Sequence, residues 1–139
     1  MQELGAKSKG MELFYCFENA SLTQRILKYL NAKWRSHLKQ TTVIFLNDHW
    51  AIRMILDSIS KPSQYKDCIA FLSENGVCCC APILVAEALS DLDSGCSATL
   101  VMDRHKVVIV SHGAPQPSEI KHFRDHFVSG LGYCPQSLG

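Results

Sequence analysis

The chain has 139 residues, 47% apolar and 19% charged, with a formal net charge of +1. This is a globular composition, and the length suits one domain closing one core. A dedicated nucleic-acid backbone binder needs a clear basic excess, so DNA is expected here only as an indirect partner.

Residues 1–10, MQELGAKSKG, read as a flexible N-terminal segment, residues 11–132 as a single α/β domain, and residues 133–139 as a loose C-terminal tail. No run approaches the roughly 18 apolar residues of a membrane span, and no signal peptide is present, so the expected location is cytoplasmic. The cysteine count is odd, at seven, and the core-forming segments need no staples. The cysteines therefore read as reduced thiols, mostly small buried apolar groups.

In chain order, Met11 to Phe17 (MELFYCF) is an apolar run suited to a strand. Ser21 to Leu38 places Leu22, Ile26, Leu30 and Trp34 on one helical stripe, with Ser21 and Gln24 at capping-box spacing. Thr41 to Asn47 (TTVIFLN) is apolar and β-branched without strict alternation, the pattern of a strand buried on both faces in a parallel sheet. Asp48 can cap a second helix with Ala51, Ile52, Ile55 and Ile59 facing inward, ended by Lys61-Pro62. The unit is then β-α-β-α. A loop over Lys61 to Lys66 leads to a strand over Cys68 to Leu72, closed by Ser73-Glu74-Asn75-Gly76.

Val77 to Leu89 is ambiguous between a helix begun at Pro82 and a strand ILVAEAL, because periodicity does not separate the two for a short apolar run. Ser90 to Gly95 is a turn and Ser97 to Met102 a strand. Asp103 to Lys106 reads as a tight connection into a strand from Val107 to Val110, making a hairpin. Ser118 can cap a last helix with Ile120, Phe123 and Phe127 on one side, ended by Gly130 and Gly132.

Several residues invite a chemical reading. Cys78-Cys79-Cys80, with Cys68, Cys96 and His105 elsewhere, lack the paired CxxC spacing of a zinc site, so no metal is expected. A cysteine opening a helix at Pro82 has a lowered thiol pKa, and Cys80 with His105 as base would make a small Cys-His hydrolase. Ser111-His112-Gly113 has the look of a turn at a strand end. No GxGxxG and no phosphate loop follow the first strand, so a nucleotide-type fold is expected without a cofactor. These residues favour a binding module over an enzyme.

The order of motifs resembles the chi subunit family of bacterial DNA polymerase III. Phe14-Tyr15 in the first strand, Ala32 to Ser36 ending the first helix, Thr41 to Leu46, and Ile55 to Ile59 are similar to that family's first half. Phe71 to Glu74, Ala81 to Val85 and Ser97 to Asp103 continue in register. The resemblance implies a three-layer, Rossmann-like domain with a largely parallel sheet, a strand at Ile83 to Ala88, and a C-terminal hairpin and helix. It also implies a noncatalytic accessory subunit that links the clamp loader to single-stranded-DNA-binding protein. Its partners would be the psi subunit, on a side that includes Phe71 and Leu72, and the acidic, Phe-ended tail of single-stranded-DNA-binding protein. Ser73-Glu74 stands where the family has Pro-His, and Ser60 where it often has Trp. The family's further C-terminal helix, which carries the tail pocket, has no counterpart before Gly139. Lys121 and Arg124 on the last helix are then the candidates to meet the tail.

Overall fold

A computed structural model describes residues 11–57 and 62–139. The expectations for residues 1–10, for Ile59 and Ser60, and for the Lys61 end of the second helix lie outside the described residues. Five strands, β1 (Met11–Phe17), β2 (Leu38–Leu46), β3 (His49–Leu56), β4 (Val77–Cys78) and β5 (Val108–Gly113), form one sheet in the order β4-β1-β3-β2-β5. Every pairing is antiparallel. This overturns the expected parallel, Rossmann-like sheet.

The cause lies in two residues. Asn47 and Asp48 both have positive φ, at 53° and 63°. A two-residue hairpin of the I′ kind requires that conformation, and Asn and Asp tolerate it best among non-glycine residues. The chain therefore reverses at once, pairing Leu46 with His49, and continues as β3 instead of starting a helix. Trp50, Ile52, Met54 and Leu56 alternate along β3 and all four are wholly buried, a period of two. The helical reading had used Ala51, Ile52, Ile55 and Ile59, a series on the wrong period. Each buried apolar side chain of β3 contributes roughly 1.5–3 kcal/mol, so sheet partners on both sides outweigh local preference.

Helix α1 (Ala20–Lys33) follows β1 and is capped by Asn19, whose side chain accepts from the Leu22 N–H at 2.9 Å. Ser21, the expected cap, instead donates its hydroxyl to the Gly139 carbonyl. Helix α2 (Pro62–Asn75) replaces the strand expected over Cys68 to Leu72. Cys68 and Leu72, one turn apart, are its buried contacts. Helix α3 (Ile83–Asp93) starts just after Pro82 and buries Val85, Ala88, Leu89 and Leu92, a spacing only a helix places on one face. The strand implied there by the resemblance is absent. Helix α4 (Ala98–His105) replaces the expected strand at Ser97 to Met102, with the Ser97 hydroxyl accepting from the Leu100 N–H. It ends at Lys106, φ 59°, so the connection into β5 is a helix terminus and not a hairpin. Helix α5 (Pro117–Leu131) lies where the last helix was expected, with Gln116 as its cap residue, Gly130 inside it, and Gly132 closing it at φ 81°.

The two sheet faces carry separate cores. Tyr15, Phe17, Val43, Phe45 and the β3 row pack against Ile26, Leu27 and Leu30 of α1, Leu72 of α2 and Ile120 of α5. Ile44 and Ile109 pack against α3 and Val101 of α4. Residues 133–139 are docked, not loose. The Trp50 indole N–H donates to the Ser137 carbonyl at 2.7 Å, and Arg124 Nε donates to the Leu138 carbonyl at 2.9 Å.

Candidate functional site

Helices α1 and α2 lie side by side over one sheet face and leave an open groove of about 650 Å³ between them. Tyr29 and Phe71 form its floor, stacked with ring centroids 4.0 Å apart. The Trp34 indole N–H donates to the Tyr29 hydroxyl at 3.3 Å, and burial raises the Tyr29 phenol above its ordinary pKa. Lys33, Ser36 and His37 form the α1 rim, and Gln64, Asp67 and Glu74 the α2 rim. Arg25, Lys28 and Lys33 of α1 and Arg35 just after it are all exposed, and of these Lys33 lines the groove. Among the described residues, Lys28, Lys33 and Arg35 have no acidic partner in an ion pair. The groove thus combines an aromatic floor with one basic and one acidic wall. That arrangement suits a protein segment with an apolar anchor and oriented charges.

A second cavity of about 310 Å³ opens on the other face, between β1, β2, β3 and the start of α3. Phe14, Cys16, Ile44, Leu46, Pro82 and Val85 make its lining almost wholly apolar.

The residues singled out from the sequence are scattered. Phe71 sits in the groove, whereas Leu72 is wholly buried behind it and offers nothing to a partner. Lys121 and Arg124 lie on α5 and both bind Asp125, at 2.7 and 2.9 Å, which holds that carboxyl below its usual range. Arg124 also anchors the docked tail, so its role in the fold is already defined. Cys80 is exposed, while His105 binds Asp91 through Nε2 at 2.7 Å, with Glu87 3.9 Å from Nδ1. His105 therefore ties α4 to α3 and is not paired with Cys80 in the structure.

Sequence reading missed one buried polar cluster. Arg53 on β3 is 2% exposed and donates two hydrogen bonds of 2.8 Å to Asp93 at the end of α3. A third bond, 3.2 Å, reaches Gln40. Thr42 and His112 continue the same row across the sheet, with Thr42 Oγ1 and His112 Nδ1 2.8 Å apart. Burial, followed by the Arg53 charge, lowers the His112 pKa. An arginine alternating with Ile52 and Met54 was the available signal, but only on the correct strand period.

Among the described residues, no cluster of His, Cys, Asp or Glu has the geometry of a metal site. No helix among them is long and apolar enough to cross a membrane.

Compared with known proteins, the chain matches no protein-family model. No curated protein sequence matches it either. Among solved structures, it is similar to the C-terminal domain of YpbH, with 13% sequence identity and a TM-score of 0.49, over 82% of this chain and 99% of that one. No family and no function are drawn from that likeness.

Proposed function

We propose that this chain is a noncatalytic adaptor that docks a partner protein in the groove between α1 and α2. The observation that carries this reading is the half-buried Phe71, stacked on Tyr29 at the floor of a groove with charged walls. Aromatic anchors in partly desolvated pockets are where binding energy concentrates, and charged rims set orientation and encounter rate. His105 also sits comfortably with a noncatalytic role, since it is occupied by Asp91 and is not paired with Cys80.

The specific form of this reading is the replicative one, with psi and the tail of single-stranded-DNA-binding protein as partners. The antiparallel sheet removes fold as a support for it, which leaves the order of sequence motifs and the charge of α1. An acidic, Phe-ended tail would lay its ring on Tyr29 and Phe71 and its carboxylates along Lys28, Lys33 and Arg35, away from Asp67 and Glu74. Lys121 and Arg124 are less suited, since both already bind Asp125.

Calorimetric titration with a peptide of that composition tests this form. Affinity on the order of micromolar, weakening with salt and lost in Lys28→Glu/Lys33→Glu and in Phe71→Ser, is expected. Absence of heat ends the replicative form. The broader adaptor reading fails if a photo-crosslinker placed at Ala70, on the groove wall, captures no protein in cell extract that Phe71→Ser releases.

A further inference from the structure

Cys16 and Cys79 are brought together by strand register. In the β1–β4 ladder Tyr15 faces Cys78 and Cys16 faces Val77. The Cys79 N–H donates to the Phe14 carbonyl at 3.2 Å, which carries the register one residue further. Because side chains alternate along a strand, Phe14, Cys16, Val77 and Cys79 share one face, and the two cysteines are diagonal neighbours across the ladder. Cys16 is thus the thiol neighbour of Cys79 on this face, and together with burial it pushes the Cys79 thiol up. Both are partly accessible, and Cys16 also lines the apolar cavity.

We propose that Cys16 and Cys79 are a site of reversible oxidative modification, closing to a disulfide that staples the segment after β4 to β1. A diagonal pair starts at about 7–8 Å, just beyond the Cα separation a disulfide accepts, so closing the bond requires the backbone to shift by about 1 Å or more. The segment that must close the gap follows a two-residue edge strand that, among the described residues, pairs on one side only. Cys78 and Cys80 are exposed but less well placed, since Cys78 lies opposite Tyr15 and projects to the other face.

With a peroxide as oxidant the chemistry balances. The Cys16 sulfur attacks one peroxide oxygen and the O–O bond breaks, leaving a sulfenic acid; the hydroxide released takes the Cys16 thiol proton and leaves as the first water. The Cys79 sulfur then attacks the Cys16 sulfur and the S–O bond breaks; the departing hydroxide takes the Cys79 proton and leaves as the second water. In all, two thiols lose two electrons and two protons, and the peroxide becomes two waters. Cys16 lines the open cavity and is the sulfur that meets the peroxide first, while Cys79, raised by burial and its Cys16 neighbour, takes the second step.

The test treats the full chain with limiting hydrogen peroxide, blocks remaining thiols by alkylation, and maps crosslinked peptides by fragmentation mass spectrometry. A link between positions 16 and 79, reversed by dithiothreitol and formed equally in Cys78→Ser/Cys80→Ser, is expected. The oxidised chain should melt on the order of 10 °C higher than the reduced one, since the bond closes a long loop. In Cys79→Ser, dimedone should trap a sulfenic acid at Cys16, with the circular dichroism spectrum checked for folding. Recovery of Cys16 and Cys79 both alkylated while Cys78 or Cys80 is oxidised would overturn the proposal. That mapping is made on the unaltered chain and does not depend on any variant folding.

Discussion

The pair Arg53–Asp93 makes an asymmetric prediction. The Arg53 guanidinium is 2% exposed, and its charge is balanced by the Asp93 carboxylate through two 2.8 Å hydrogen bonds. Asp93 itself is 51% exposed. Asp93→Ala leaves a buried cation whose one remaining hydrogen-bond partner among the described residues is Gln40. Orphaning one member of a fully buried pair costs about 3–5 kcal/mol, and water can reach the vacated Asp93 position, so the expected loss is about 2 kcal/mol. Arg53→Met behaves differently. It removes the charge together with Nε, which is buried without a hydrogen-bond partner among the described residues. An unsatisfied buried donor costs about 1–3 kcal/mol, so removing it offsets much of the lost pairing. Arg53→Met should therefore stay within about 1 kcal/mol of the parent. Urea unfolding followed by tryptophan fluorescence, with midpoints compared at constant slope, measures both. If Arg53→Met proves more destabilising than Asp93→Ala, the account of this cluster is wrong.

Three further predictions concern local features. Asp48→Gly should raise stability by about 0.5–1 kcal/mol and Asp48→Val lower it by about 1–2 kcal/mol, because φ at this position is 63°; thermal melts check the signs. Gly76→Ala should cost about 2 kcal/mol or more, since a Cβ there would meet the Phe17 ring and lie 2.6 Å from the Cys16 carbonyl oxygen; urea midpoints decide. His112 has a lowered pKa in the fold, so its stabilising contribution is complete above its unfolded value, near 6.5, and is lost as pH falls from there through the folded value. His112→Asn should flatten that part of the stability-pH curve, and an unchanged slope would show that another group carries it.

The elements that sequence alone placed were those whose local signals had no competitor. Met11–Phe17 is a strand on either face pattern, and the stripe of Ile26 and Leu30 reads only as a helix. Ile120, Phe123 and Phe127 likewise define α5 by spacing alone; Ile120 is buried, Phe123 packs on Trp50 and Phe45, and the exposed Phe127 sets its ring against Phe45 and Phe123. Cys68–Leu72 and Ser97–Met102 failed because short apolar or β-branched runs satisfy both periods. Their helices are decided by flanking residues, such as the Ser97 cap and the Asn75 side chain donating to the Phe71 carbonyl. At the candidate site, the sequence singled out Phe71, which lines the groove, but the groove itself was not legible. Its other wall comes from α1, more than thirty positions earlier in the chain.

Composition, charge and periodicity by themselves determined an α/β fold with its first strand, first helix, second strand and last helix in place. Strand direction was decided only in three dimensions. Asn47 and Asp48 are compatible with a helix cap and with a hairpin turn. The choice fell to the hairpin because β3 gains partners on both edges and buries Trp50, Ile52, Met54 and Leu56 together. That non-local burial outweighs the propensity of any one residue.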